Sequence, residues 1–104
     1  KKSMFDSVEL LPGMILSNEP GYYKENEYGI RTENLVVIKE NNNKKLYFEN
    51  ISWCPIDLDL IDSSMLDQIE KQWLNKYHKK VYDTLETYLE NKEKDWLKEV
   101  TSEV

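Results

Sequence analysis

The chain has 104 residues, 39% of them hydrophobic and 33% charged, with a formal net charge of −6 and a single cysteine. Those totals describe one modest domain with a limited core. They exclude nucleic acid and anionic lipid as main partners, which need a basic surface, and no apolar run approaches the roughly 20 residues of a membrane span.

The opening "KKSMFDSVELLPGM" lacks an apolar core long enough for a signal peptide. The abrupt start at Lys1 reads as a fragment of something longer. Cys54 has no second cysteine to pair with, which fits a cytoplasmic setting. "GMILSNE" (13–19) predicts a short strand, stopped by Pro20 because proline cannot donate to a ladder. "PGYYKENEYG" (20–29), with Pro-Gly at one end and Gly at the other, reads as a long hairpin loop. "GIRTENLVVIKE" (29–40) predicts a second strand. Its run Leu35–Ile38 is apolar on both faces, as in a strand covered on both sides. "ENNNKK" (40–45) is a turn whose asparagines tolerate left-handed backbone, and "LYFENISW" (46–53) is a third strand with Tyr47, Ile51 and Trp53 on one face. The sum is a three-stranded antiparallel piece of sheet.

The period then changes. "CPIDLDLIDSS" (54–64) is a connector in which Asp62 or a following serine caps a helix. From about Ser64, apolar residues at Leu66, Ile69, Trp73, Tyr77, Val81, Leu85 and Tyr88 form one stripe of a long helix. "NK" at 91–92 breaks it, and Trp96, Leu97 and Val100 predict a short final helix. The fold class is α+β.

Carboxylates near the strand ends are the candidates for chemistry. On a strand, Arg31, Glu33, Leu35 and Val37 share a face, which sets Glu33 among apolar neighbours. A buried carboxylate must be paired, hydrogen-bonded, neutralised or bound to a cation. Arg31, two residues away, is one partner; a metal ion is the other. If the first two strands form a hairpin, Glu19 approaches Glu33, and two converging carboxylates suit a hard divalent cation. The aspartates of "DLDLID" read as a solvated loop. His78, off the apolar stripe and among lysines, reads as solvated or interhelical, Cys54 as a small buried residue, and Trp73, Tyr77 and Tyr88 as core or interface.

"PGMILSNEPGYY" followed by "YGIRTENLVVI" resembles the C-terminal end of the catalytic domain of Xaa-Pro aminopeptidases (aminopeptidase P), metallopeptidases of the pita-bread fold. "LYFENISWCPID" and "EKQWLNKYHKKV" resemble the C-terminal extension of the larger, cytosolic-type members. The resemblance covers about Leu11 to Leu97. It implies the C-terminal portion of a pita-bread fold over residues 1–62 and a helical extension over 63–104. It also implies a site of two divalent ions, usually manganese (Mn2+), held by two aspartates, a histidine and two glutamates. Glu19 matches the first glutamate, a metal ligand and proton shuttle, and Glu33 the second, which bridges the ions. Arg31 and Tyr23 match positions that order the site and bind substrate. In that family the metals activate a water for attack on the carbonyl before proline, so the implied substrates are peptides with proline at the second position.

The family's remaining ligands come from earlier segments, which residues 1–16 do not supply. The chain is therefore expected to carry two of five ligands, to hold no metal of its own, to be inactive alone and to form a homo-oligomer through its sheet or aromatic helix. The rival readings are a non-catalytic interaction or dimerisation module of a pita-bread relative and a prolidase-type dipeptidase. Joint retention of Glu19, Arg31 and Glu33 argues against the first, and "WLNKYH" against the second.

Overall fold

Pro20 interrupts what would otherwise be one long hairpin. In the structure, a computed structural model that describes residues 7–104, β1 (Ile15–Asn18) pairs antiparallel with β4 (Asn34–Glu40). Beyond the proline, β2 (Gly21–Lys24) pairs with β3 (Tyr28–Arg31). The partners run from Ile15 and Val37 to Asn18 and Asn34, and resume with Gly21 and Arg31 through to Lys24 and Tyr28. Both ladders therefore keep a single register. Pro20 has no amide hydrogen to contribute, but its carbonyl accepts from Thr32 N at 3.1 Å, which holds the two sides of the gap together. The segment 20–29, expected as a loop, is thus a second small sheet. Its strands are too short and too polar to show a periodic signal. Asn26, with φ 58°, turns the chain at its tip.

β5 (Leu46–Asn50) adds to the other edge of β4, giving the sheet order β1-β4-β5. The expected three-stranded antiparallel sheet is present. Its β4–β5 turn is built by the Asn41 side chain, whose Oδ1 accepts from the amides of Asn43 and Lys45 at 2.9 and 3.0 Å. The left-handed residue there is Lys44 (φ 59°) rather than an asparagine. On β4, Asn34, Val36 and Ile38 are buried and Leu35 is exposed. Strand side chains alternate between faces, so the apolar run has one buried face where two were expected.

A compact unit ends at Ser52, and a second runs from Trp53 to Val104. In the second, Asp57 and Asp62 accept from the amides of Asp59 and Ser64 and cap two short 3-10 turns, Leu58–Leu60 and Ser63–Met65. The helix α1 (Gln68–Leu85) begins later than the sequence predicts, because Asp67 is its cap. Asp67 accepts from Glu70 N at 2.8 Å while Glu70 accepts from Asp67 N at 2.9 Å, a reciprocal capping box. The break comes earlier than the sequence predicts: α1 ends at Leu85, a 3-10 turn covers Glu86–Tyr88, and Asn91 and Lys92, expected to interrupt the helix, instead open the second helix, α2 (Asn91–Val100).

The buried side of α1 is Leu74, Tyr77, His78 and Val81, which is helical spacing. It shares only Tyr77 and Val81 with the stripe expected from hydropathy. Ile69 and Tyr88 are 77% and 82% exposed. The face is set by what it meets: Tyr77 and Val81 form a core with Leu97 of α2, and Trp53, Ile56, Tyr82, Leu85, Leu89 and Val100 surround it. Trp73 and Trp53 both stack on Tyr77, with ring centroids 5.5 and 5.8 Å away. The Tyr77 hydroxyl donates to the Cys54 carbonyl at 2.7 Å. Cys54 itself, expected to be buried, is exposed.

Of the two readings of His78, solvated or interhelical, the first fails: it has no exposed area at all. Its Nε2 accepts from Ile56 N at 3.0 Å, which pins the connector to α1. An accepting Nε2 assigns the ring proton to Nδ1, and Nδ1 is buried without a hydrogen-bond partner. Burial pushes the His78 pKa below its ordinary value, outweighing the opposing effect of the Ile56 hydrogen bond.

Two outcomes follow for the second unit. Asp67→Ala should cost about 1 kcal/mol of stability, the usual worth of an N-cap, with Asp67→Asn retaining most of it; urea denaturation checks both. The His78 pKa is lower in the folded chain than in the unfolded one. The unfolded state therefore binds the extra proton first, and stability that is full above about pH 6.5 falls as the pH drops towards and through the folded value. Between about pH 7.5 and about pH 5, wild type should lose more stability than His78→Gln, which keeps an acceptor but does not titrate; equal losses in the two proteins would contradict this.

Candidate functional site

The gap in the ribbon is where the candidate acids sit. Extending either ladder across it places Glu19 opposite Glu33 and Pro20 opposite Thr32. Residues opposite one another in an antiparallel pair share a face, as do alternate residues along a strand. Glu19, Gly21 and Tyr23 from one side therefore fall on the same face as Gly29, Arg31 and Glu33 from the other.

The contacts agree with that placement. Arg31 Nε lies 3.1 Å from Glu33 Oε2. The Arg31 guanidinium also hydrogen-bonds the Tyr23 hydroxyl, and this bond is the leading cause of a pKa raised above the ordinary arginine value. The negative charge of Glu33 is the next cause, with Tyr23 and Glu19 adding to it. Arg31 thus stays charged at every working pH. Its side chain and that of Glu33 are 49% and 39% exposed. Glu33 is therefore not a buried strand residue as its sequence neighbours suggest. It occupies the irregular step between β3 and β4, where a carboxylate keeps access to solvent and to a ligand.

Behind Glu33 the backbone is clamped. Ser52 Oγ accepts from Leu35 N at 2.8 Å and donates to Asn34 Oδ1 at 3.3 Å, and Asn34 is buried. This ties the first residues of β4 to the end of β5. Sequence reasoning singled out Glu19, Tyr23, Arg31 and Glu33, and the structure gathers them on one face. It missed Ser52, which has no local signal, because its partners lie 17 and 18 residues away. The other sequence candidates belong to the second unit: Asp57 and Asp62 are caps, and His78 is spent on Ile56.

Two carboxylates facing across a strand gap are the hard oxygen donors that a divalent ion such as Mn2+ takes. They fit as part of a ligand set and not as a whole one. Among the described residues, no three His, Cys, Asp or Glu side chains are grouped so as to hold a metal ion. Glu33 meanwhile has Arg31 as its counter-charge.

Comparison with known proteins bears on the same residues. The family described as the C-terminal region of peptidase M24 matches residues 44–104, and metallopeptidase family M24 matches residues 2–40. The chain belongs to the peptidase M24 family. The M24 metallopeptidase match takes in the whole interrupted ribbon with Glu19 and Glu33, and the C-terminal match takes in β5 and both helices.

Two fungal relatives of this M24 chain carry the name "Probable Xaa-Pro aminopeptidase P". That of Coprinopsis cinerea is 41% identical and that of Fusarium vanettenii 43%, each alignment covering 96% of this chain and 18% of the relative. Among solved structures, the chain is similar to an X-prolyl aminopeptidase from Caenorhabditis elegans, described as a cytosolic enzyme with a di-nuclear active site. The TM-score is 0.76 and the identity 32%, over 91% of this chain and 17% of that one. This M24 chain thus spans less than one fifth of the length of the relatives it matches. The likeness, with antiparallel sheets followed by a long and a shorter helix, bears out the expected C-terminal portion of a pita-bread fold.

Proposed function

We propose that this chain is the C-terminal part of an Xaa-Pro aminopeptidase, which removes an N-terminal residue standing before proline, and that Glu19 and Glu33 are its contribution to a site for two divalent ions, manganese by preference. The observation that carries the reading is the single register across Pro20, which makes the two glutamates partners at a break in the ribbon. The names of the fungal relatives and the di-nuclear site of the nematode enzyme support the substrate class and the pair of ions. The description of the nematode protein as cytosolic supports a cytoplasmic setting. Those names also favour an aminopeptidase over a prolidase or a non-catalytic module.

The ions, when bound, supply Lewis acidity for hydrolysis of the bond before proline. The placement of this chain's own residues supports a role for each in this reading. Glu33 offers two oxygens at the gap, one of them already oriented by Arg31 at 3.1 Å. Arg31 keeps its charge and so holds that carboxylate aimed. Tyr23, bonded to Arg31, helps to fix the guanidinium. Glu19, opposite Glu33 at the strand end, takes up a proton at its carboxylate and returns it to the leaving amine. The missing ligands must come from outside the described residues. Self-association belongs to the same reading, supported by Ile15, Leu35 and Tyr47, which the register puts on one sheet face and which are all exposed.

The chain alone, supplied with Mn2+ and an Xaa-Pro peptide, should give no turnover, whereas in the full-length protein Glu33→Ala and Glu19→Ala should each abolish activity. Robust hydrolysis by the chain alone, or full activity of either variant, would sink the assignment. Light scattering at working concentration should find a dimer or larger species, and a clean monomer would remove self-association from the reading.

A further inference from the structure

Two of the three glycines, Gly21 and Gly29, lie in strands and not in a turn. Strand glycines are unfavourable, because they pack nothing and lose the most backbone entropy. The usual excuse, a left-handed backbone, does not apply: only Gly13, with φ 89°, needs it. The reason is the space above them. A Cβ on Gly29 would stand 2.7 Å from Tyr23 Cδ1 and 3.2 Å from Cε1. A Cβ on Gly21 would stand 2.7 Å from the Tyr23 hydroxyl and 2.9 Å from Cζ. The Tyr23 ring therefore lies flat along the ribbon. It passes over Gly29, its own cross-strand partner, and ends over Gly21, the cross-strand partner of Arg31.

We infer that Gly21 and Gly29 are positioning residues: they form a tray that lets the Tyr23 phenol lie down along the strands and reach Arg31, and so hold Arg31 where it bonds Glu33. A tyrosine normally stands up from a sheet. Standing, its hydroxyl would point away from the ribbon and from the residue diagonally across it. Laid over two glycines, as aromatic rings are over strand glycines elsewhere, the hydroxyl travels two residue pairs along the ribbon, from the Tyr23–Gly29 pair past Tyr22–Ile30 to the Gly21–Arg31 pair. The opposite face of the same hairpin carries Tyr22, Lys24, Tyr28 and Ile30, with no glycine. There Tyr22 and Tyr28 meet as an ordinary tilted pair, 6.1 Å apart. The tray is thus confined to the face that bears the glutamates. The inference concerns the Tyr23–Arg31–Glu33 chain of contacts, and it draws on the metal reading only for the use to which that chain is put.

Water exchange of the Arg31 Nε–H, measured by NMR on the 104-residue chain without metal, tests the tray independently of the metal reading. Exchange should be slow in wild type. It should quicken about tenfold in Gly29→Ala, the worth of one charge-assisted hydrogen bond, and by a similar factor in Tyr23→Phe, where the ring stays on the tray without its hydroxyl. Once the ring is gone, in Tyr23→Ala, adding Gly29→Ala should change nothing more. If Gly29→Ala alone unfolds the hairpin, adding Tyr23→Ala should restore the β2–β3 amide signals, since the clash is with the ring. Wild-type exchange in Gly29→Ala, a further loss in the double variant, or a hairpin that stays unfolded without the ring would each overturn the inference.

Discussion

A missing amide hydrogen organises the first half of this protein. Pro20 cannot donate to a ladder, so the ribbon of the first and second strands with their returning partners must open there. What makes the opening useful is that the register does not slip across it. A shift of one residue would send Glu33 and every residue beyond it to the other face. The Thr32–Pro20 hydrogen bond keeps the two halves in step. The gap thus combines two properties rarely found together in a sheet: irregular backbone that leaves side chains accessible, and a register that fixes which of them face each other.

Arg31 and Glu33 at that gap have each other as defined partners. Arg31 stands between a phenol and two carboxylates, which keep it charged. Glu33 is aimed by Arg31 from the side and held from behind by the Asn34–Ser52 clamp. The Arg31–Glu33 pair is not strong as a contribution to stability, because exposed ion pairs are worth little. Its value is geometric. A metal ligand or proton carrier needs its oxygens held in place more than it needs them buried.

The second unit rests on a different principle. Its long helix presents Tyr77 and Val81 to Leu97, and a histidine with no exposed area holds the connector by one hydrogen bond. This unit has few charges at its centre and one polar atom, His78 Nδ1, left without a partner. The family match to residues 44–104 takes in this unit together with β5 of the first.

By itself the sequence determined the α+β class, the three-stranded sheet and both helices, and it singled out Glu19, Arg31 and Glu33 as candidates. These were legible because they depend on local periodicity and on the short motifs "NEPG" and "IRTEN", whereas Tyr23 was reached only through the family resemblance. The Arg31–Glu33 pairing was legible too, since residues two apart on an extended chain share a face. Tertiary structure decided the rest. The hairpin of residues 21–31 is too short to announce itself. The buried side of the long helix depends on where Leu97 falls, and hydropathy placed the apolar stripe where Ile69 and Tyr88 in fact face solvent. His78 looked solvated among lysines because its burial is conferred by a connector 22 residues away. The glycines under Tyr23 show the division most clearly: sequence shows two glycines and two adjacent tyrosines, but which tyrosine lies over them follows only from a register, and a register is a relation between strands.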